Sequence, residues 1–136
     1  MKVKVSVPER LLACYKAGRN VMELEDALVN SMNWIDYREA SGIRSSFFSA
    51  GTNAGSLTTV LKGEARQGAL ELSKHAKKLA EKLKGRRTLS KDEQKSVEKQ
   101  MFAMRDRAYW LRVATQAHCG EAASKQSIQN FRKPKL

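Results

Sequence analysis

The first residues of the chain alternate between polar and apolar side chains. Residues 2–7 read Lys-Val-Lys-Val-Ser-Val, and this period of two places the three valines on one face and Lys2, Lys4 and Ser6 on the other. Valine favours extended backbone, so the pattern predicts a short β-strand. Because six residues are too few to fold alone, the segment is either a frayed end or pairs with something outside itself.

Two amphipathic helices are predicted directly after this strand. The first begins at the capping box of Ser6 and Glu9, and Gly18 is expected to end it. The second begins at Asn20 and carries apolar residues at steps of three and four as far as Ile35. That spacing is typical of a helix with one buried face.

Two long helices are predicted further along the chain, over residues 56–84 and 90–119. Ser41 and Gly42, followed by a short helix and a glycine-rich connection over residues 43–55, separate them from the N-terminal part. In both long helices apolar residues recur at heptad-like steps, and the short turn between them predicts an antiparallel hairpin. The expected register pairs large with small residues: Ala76 opposite Met104, Leu72 opposite Ala108, and Gly68 near Leu111.

These elements predict a mainly α-helical fold, in which a short N-terminal β-strand precedes about five helices, including the long antiparallel helical hairpin. Three parts of the chain are expected. They are a compact module over residues 1–42, a basic helical hairpin extension over residues 43–120, and a mobile basic tail over residues 121–136.

The net charge of the chain lies entirely after residue 42. Of the 136 residues, 26 are Lys or Arg and 14 are Asp or Glu, which gives a formal net charge of +12. Residues 1–42 contain six groups of each sign, so the remainder contains 20 basic and 8 acidic groups, and 20 − 8 = +12. Such a surface attracts polyanions, with nucleic acid first and an anionic membrane second. No membrane partner is expected, however, because the apolar residues of the basic helices lie on a seam that another helix should cover.

The two cysteines and the hydropathy of the chain indicate the cellular compartment that is expected. Cys14 and Cys119 have a spacing that matches neither a zinc motif nor a disulfide scaffold, so a reducing cytoplasm is expected. No apolar run approaches the roughly 18 residues that cross a membrane. No metal or cofactor is expected, because His118 beside Cys119 has only His75 and Cys14 to complete the usual four zinc ligands. The chain also lacks a phosphate-binding glycine loop and a nucleophile motif, so no catalysis is expected.

The first 42 residues resemble the ribbon-helix-helix family of DNA-binding proteins. The resemblance rests on the alternating "KVKVSV", the helix "PERLLACYKAG", the turn "GRN" and the second helix "VMELEDALVNSMNW". It implies a homodimer in which two chains each supply one strand to a ribbon in the DNA major groove. Lys2, Lys4 and Ser6 would then contact base edges. The start of the second helix, with Arg19 and Asn20, would bind a phosphate.

A dense group of basic residues follows in the predicted hairpin. Lysine and arginine beside an apolar seam can follow a phosphate backbone, whereas the ordinary alternative is a solvated helix face. Binding is favoured here because like charges four residues apart repel each other. A cluster this dense is therefore less usual on a helix face that contacts only solvent. The predicted phosphate contacts are Lys74, Lys77, Lys78, Lys82, Lys84, Arg86, Arg87, Lys91, Lys95, Arg105 and Arg112. Five aromatic residues could stack on bases, although in helices they more often fill the core: Trp34, Tyr37, Phe102, Tyr109 and Trp110.

The sequence therefore predicts a non-enzymatic, dimeric nucleic-acid-binding protein, with duplex DNA favoured and RNA possible. A DNA-binding module followed by a basic helical extension is similar to the arrangement in transcription regulators and in accessory proteins of plasmid transfer or partition. One alternative is an all-helical subunit of a ribonucleoprotein that holds a nucleic-acid backbone. A second alternative, from a different class, is a helical adaptor or inhibitor that binds an acidic protein.

Overall fold

Helices account for most of the chain. The computed structural model describes residues 9–136, without the side chains of Arg10, Ala122 and Ala123, and its helices are α1 (Glu9–Asp36), α2 (Ala40–Leu57), α3 (Gly63–Lys82), α4 (Lys91–His118) and α5 (Ala122–Asn130). Within this part of the chain no strand forms, and Glu39 and Thr88 make only an isolated bridge. The mainly helical class is confirmed, but the predicted fold class is corrected, because the described residues form helices and contain no β-strand. Residues 2–7, with Lys2, Lys4 and Ser6, lie outside the described residues.

Helix α1 runs without interruption through the predicted turn at residues 18–20. Its buried residues Ala17, Val21, Leu24 and Leu28 are spaced by four, three and four, so a single seam faces the core throughout. Gly18 in a helix interior costs about 1 kcal/mol relative to alanine. Burial of the seam outweighs that cost, and the predicted division into two helices is wrong.

The first break in the helical chain occurs at Arg38 instead of at Ser41 and Gly42. Arg38 adopts the left-handed conformation, with a φ of 55°, and α2 begins two residues later. Gly42 lies inside α2, where the indole of Trp34 occupies the space that a Cβ atom would need. Gly42 is predicted from the sequence to break the helix, but its lack of a side chain instead allows Trp34 to pack against α2.

Helix α2 also continues through the predicted connection at residues 43–55. Ile43, Phe47 and Ala50 are fully buried, and the small residue Gly51 faces α3. The hydroxyl of Ser73 in α3 donates to the carbonyl oxygen of Gly51 over 2.7 Å, which a larger side chain would obstruct. The small residues of α2 thus permit close helix packing and do not mark a loop.

The first four helices form a bundle around one core. Helix α1 packs on α2 and α4, α3 also packs on α2 and α4, and α5 lies on α4. The core includes buried residues from both sides of the predicted boundary at residue 42, among them Leu28 and Phe47. Residues 1–42 therefore do not have a core of their own within the described part of the chain.

Helices α3 and α4 are antiparallel, in a register within about one turn of that expected. A guanidinium nitrogen of Arg107 donates to the carbonyl oxygen of Gly68 over 3.2 Å, and His75 Nε2 lies 2.7 Å from Gln100 Oε1. The predicted capping box of Ser90 and Glu93 begins α4. The two helices form adjacent sides of the bundle, however, and not a separate extension, because both also pack on other helices.

A disulfide joins the two cysteines. Cys14 in α1 and Cys119 at the end of α4 are 105 residues apart in sequence, with Cα atoms 5.8 Å apart. This pair removes the support for a reducing compartment, which rested on unpaired cysteines. None of the helices between residues 9 and 136 combines the length and apolar character needed to cross a bilayer.

The C-terminal residues, predicted as a mobile tail, have tertiary contacts. After α5, the carbonyl oxygen of Phe131 accepts a hydrogen bond from Trp110 Nε1 over 3.2 Å. The carbonyl oxygen of Pro134 accepts one from Arg107 Nε over 2.6 Å. Residues 131–136, termed the C-terminal segment, therefore lie against α3 and α4.

Two glycine substitutions test this packing. Gly18→Ala should raise the free energy of unfolding by about 0.5–1 kcal/mol, since the added Cβ meets open space in a helix interior. Gly68→Ala should lower it by about 1–3 kcal/mol, because its Cβ would lie 2.6 Å from the buried Trp110 ring. Chemical unfolding followed by circular dichroism, at one protein concentration, measures both. A loss of stability in Gly18→Ala would indicate a left-handed turn there and contradict the continuous α1.

The contribution of the disulfide to stability can also be tested. Replacing Cys14 and Cys119 together by serine should lower the free energy of unfolding by about 2–5 kcal/mol, because the unfolded chain loses a long covalent loop. Unfolding of the wild type with and without a reductant provides the same comparison. Mass spectrometry after thiol alkylation without reductant should find no modified cysteine, and modification of both would contradict the pairing.

Candidate nucleic-acid interface

Basic side chains from two distant parts of the sequence surround one open groove. The groove has a volume of about 600 Å³ and lies between α3 and the C-terminal segment. We call it the cationic groove, and its lining residues are Glu71, Lys74, His75, Lys78, Arg107, Lys133, Lys135 and Leu136. Glu71 is the only acidic side chain in that lining, against five basic ones, so the side chains of the groove carry a net positive charge.

The amphipathic pattern of α3 sets the direction of its lysines. Leu72, Ala76 and Ala80 are buried on one face of the helix. Lys74 and Lys78 stand one turn apart on the opposite face and are exposed. Burial of the apolar face therefore orients a row of ammonium groups toward solvent.

Glu71 and Arg107 attach the C-terminal segment to the groove. Glu71 Oε1 accepts hydrogen bonds from Lys133 Nζ and from Arg107 Nη1, both over 3.1 Å. The bond from Lys133 is the main cause that lowers the pKa of Glu71, with the charge of Arg107 acting in the same direction. Burial lowers the pKa of Arg107, and Glu71 opposes that shift. These two cations hold the fold together, whereas Lys74, Lys78 and Lys135 have exposed side chains.

A second basic cluster lies on the loop between α3 and α4. Backbone hydrogen bonds fix this loop against the turn after α1: Ala40 N–H donates to Arg87 over 3.0 Å, and Leu89 N–H donates to Arg38 over 2.9 Å. The predicted phosphate contacts in and beside the loop are all exposed: Lys77, Lys82, Lys84, Arg86, Arg87, Lys91 and Lys95. They continue the row of α3 lysines toward one end of the bundle.

Arg86 is the exception in this cluster because it has an acidic partner. Its two terminal nitrogens donate to the carboxylate of Glu93 over 2.7 and 2.8 Å. Together with the backbone of Ser90, this contact lowers the pKa of Glu93 to about 2. Arg86 thus neutralises a residue of the α4 capping box and contributes little net charge to the surface.

The remaining predicted phosphate contacts lie away from the cationic groove. Arg112 Nε is 3.3 Å from Glu25 Oε1, between α1 and α4, and Arg105 lies in the same region. The pKa of Glu25 is raised by burial, and Arg112 acts against that shift. Arg19 faces Glu23 at 3.7 Å. The helix start predicted at Arg19 and Asn20 does not form, because these residues lie inside α1, where backbone N–H groups are used within the helix. A phosphate contact there would therefore depend on their side chains and stays a prediction.

One exposed aromatic residue beside the α3 lysines was not among those predicted to stack. Phe48 of α2 is 59% exposed, and Lys77 Nζ lies 6.0 Å from its ring centre. Trp110, by contrast, is 3% exposed and belongs to the core. The helical period identifies the difference, since Phe47 and Phe48 are adjacent and only one of them can face the core.

Neither a metal site among residues 9–136 nor a match to known proteins was found. The residues that the structure describes contain no group of three or more His, Cys, Asp or Glu side chains that could hold a metal ion. Cys119, beside His118, is in the disulfide. No family model, curated protein or solved structure matches the chain.

The attachment of the C-terminal segment should depend on pH through Glu71. Because folding lowers the pKa of this carboxyl, its stabilisation is complete above its ordinary value of about 4.5 and is lost as the pH falls below that value. The pair is partly exposed, so the effect is on the order of 0.5–1 kcal/mol. NMR chemical shifts of residues 131–136 should move toward unfolded values on acidification. Glu71→Gln should produce the same shifts at neutral pH, and unchanged shifts would contradict the attachment.

Proposed function

We propose that this protein binds nucleic acid without catalysing a reaction, with the phosphate backbone lying along the cationic groove and the exposed row of α3 lysines. The observation that carries the proposal is the presence of three exposed lysines, Lys74, Lys78 and Lys135, around one open groove with a single acidic side chain. A formal net charge of +12 supports the same class of partner, since counterion release from phosphates favours a cationic surface.

The residue types favour contact with the backbone and not with bases. Lysine supplies a point charge that suits a phosphate. Recognition of base edges, by contrast, commonly uses the planar guanidinium of arginine or the planar amides of asparagine and glutamine. Successive α3 lysines, Lys74 and Lys78, are about 6 Å apart along the helix axis, so they can contact neighbouring phosphates. We therefore propose duplex DNA as the main ligand, bound with little sequence preference by the described residues.

A second candidate ligand is single-stranded nucleic acid, including RNA. It is favoured by Phe48, which is exposed beside Lys77 on the same basic surface. Aromatic rings beside lysines are typical of single-strand sites, where bases stack on them. In this case the protein would act as a backbone-holding subunit of a ribonucleoprotein.

Charge removal from the groove tests the proposal. Lys74→Ala combined with Lys78→Ala should weaken duplex binding at moderate salt by roughly tenfold or more. It should also reduce the slope of log affinity against log salt by about two, because each lost phosphate contact removes about 0.9 from the slope. Fluorescence anisotropy with a labelled duplex and a labelled single strand, over a series of salt concentrations, measures both quantities.

The control removes the same charge elsewhere. Lys62→Ala combined with Lys125→Ala changes two exposed lysines outside the groove, and should leave the slope nearly unchanged. Equal losses from both pairs would contradict the groove as the site. Absence of salt-dependent binding to either probe would contradict the function. Tighter binding of the single strand, abolished by Phe48→Ala, would favour the second candidate.

A further inference from the structure

Helix α1 has a second apolar face that no part of the described chain covers. Leu11, Tyr15, Met22 and Val29 follow steps of four and seven, so they lie on one side of the helix. They are 61%, 66%, 66% and 47% exposed, respectively. The core seam that begins at Ala17 lies on a different side. We call these four exposed residues the α1 stripe.

Helix α4 extends the same apolar surface. Phe102 and Tyr109 are 44% and 47% exposed, and both line a groove of about 370 Å³ together with Val29 of the stripe. The same groove also contains charged residues, which are Glu25, Arg105, Asp106 and Arg112. At the other end, Tyr15 and Met22 line a second groove beside α4. Exposed apolar residues that are grouped on one side of a protein and rimmed by polar groups are typical of a protein interface.

The charges beside the stripe change sign along the helix. Lys16 and Arg19 precede Met22, and Glu23 and Asp26 follow it; all four are exposed. A parallel second helix would oppose like charges along its whole length. An antiparallel helix, by contrast, would place its acidic half beside Lys16 and Arg19, and its basic half beside Glu23 and Asp26.

We propose that a second copy of this chain covers the α1 stripe, with the two α1 helices antiparallel about a two-fold axis near Met22. The same surface on both copies is then complementary to itself, as a two-fold dimer requires. Near the axis Met22 contacts its equivalent, and Tyr15 lies against Val29 of the second copy. The interface contains apolar side chains at its centre and paired charges at its edge.

The dimer also has a consequence for ligand binding, and this part rests on the proposed function. Helix α3 packs on α2 and α4, so it lies across the bundle from α1. Pairing through α1 therefore leaves the two cationic grooves on opposite outer sides of the dimer. Such a dimer would join two separate nucleic-acid segments and not enclose one.

Solution mass tests the dimer in the absence of nucleic acid. Sedimentation of the full chain should give about twice the 15.3 kDa of one chain. Met22→Glu should weaken association by roughly 100-fold or more, since it places two like charges at the axis. Tyr37→Glu is the matched control, because Tyr37 is 79% exposed but lies after the end of α1. A monomeric wild type, or unchanged association in Met22→Glu, would overturn the proposal.

Charge reversal tests the antiparallel orientation. Glu23→Lys with Asp26→Lys makes the exposed edge of α1 uniformly basic, and Lys16→Glu with Arg19→Glu makes it uniformly acidic. Each double variant should be monomeric alone, and an equal mixture should form a mixed dimer. A parallel pair would already oppose like charges in the wild type, so continued self-association of either variant would contradict the antiparallel arrangement. Circular dichroism verifies that each variant is folded.

A bridging assay separates the dimer from the proposed function. Wild-type protein on an immobilised duplex should capture a second, labelled duplex, whereas Met22→Glu should bind the first duplex and fail to capture the second. Equal capture by both proteins would contradict bridging through the α1 stripe. If neither binds the first duplex, the proposed function fails, and the sedimentation result still decides whether the dimer exists.

Discussion

Burial of one uninterrupted seam along α1 is the constraint on which the other helices depend. The seam runs from Ala17 to Ile35 and packs against both α2 and α4. A turn at Gly18 would rotate the residues before it away from this seam, and Ala17 would then no longer be buried in the core. Helix α1 then extends from the disulfide at Cys14 to the turn whose backbone is hydrogen-bonded to the basic loop.

The cations around the cationic groove differ in their surroundings. Arg107 is buried, and it is compensated by Glu71 and by backbone carbonyl oxygens of α3 and the C-terminal segment. A charge in such surroundings stabilises one arrangement of the chain, because removal of Glu71 would leave the buried guanidinium without its hydrogen-bonded acidic partner. Lys74 and Lys78 have no such role in the core, and their exposure keeps them available for an anionic ligand.

The two surfaces with proposed roles lie on opposite sides of the bundle. The cationic groove uses the outward face of α3, and the α1 stripe uses an outward face of the helix diagonal to it. Separation of this kind allows ligand binding and self-association to occur together without competition for the same residues. The two surfaces also favour different partners. The lysine row attracts phosphates and disfavours apolar association, whereas the apolar stripe favours association with another apolar surface.

The sequence by itself determined the features that depend on local spacing. These include the helical class, the capping box at Ser90, the near-correct register of α3 and α4, and the location of the net charge after residue 42. Only the tertiary structure decided whether Gly18 ends a helix, whether Cys14 meets Cys119, and which cations are compensated. Those outcomes depend on residues far apart in sequence: Lys133 reaches Glu71 across more than sixty positions. A local pattern contains no information about such contacts, because it is the burial of the shared core that brings them together.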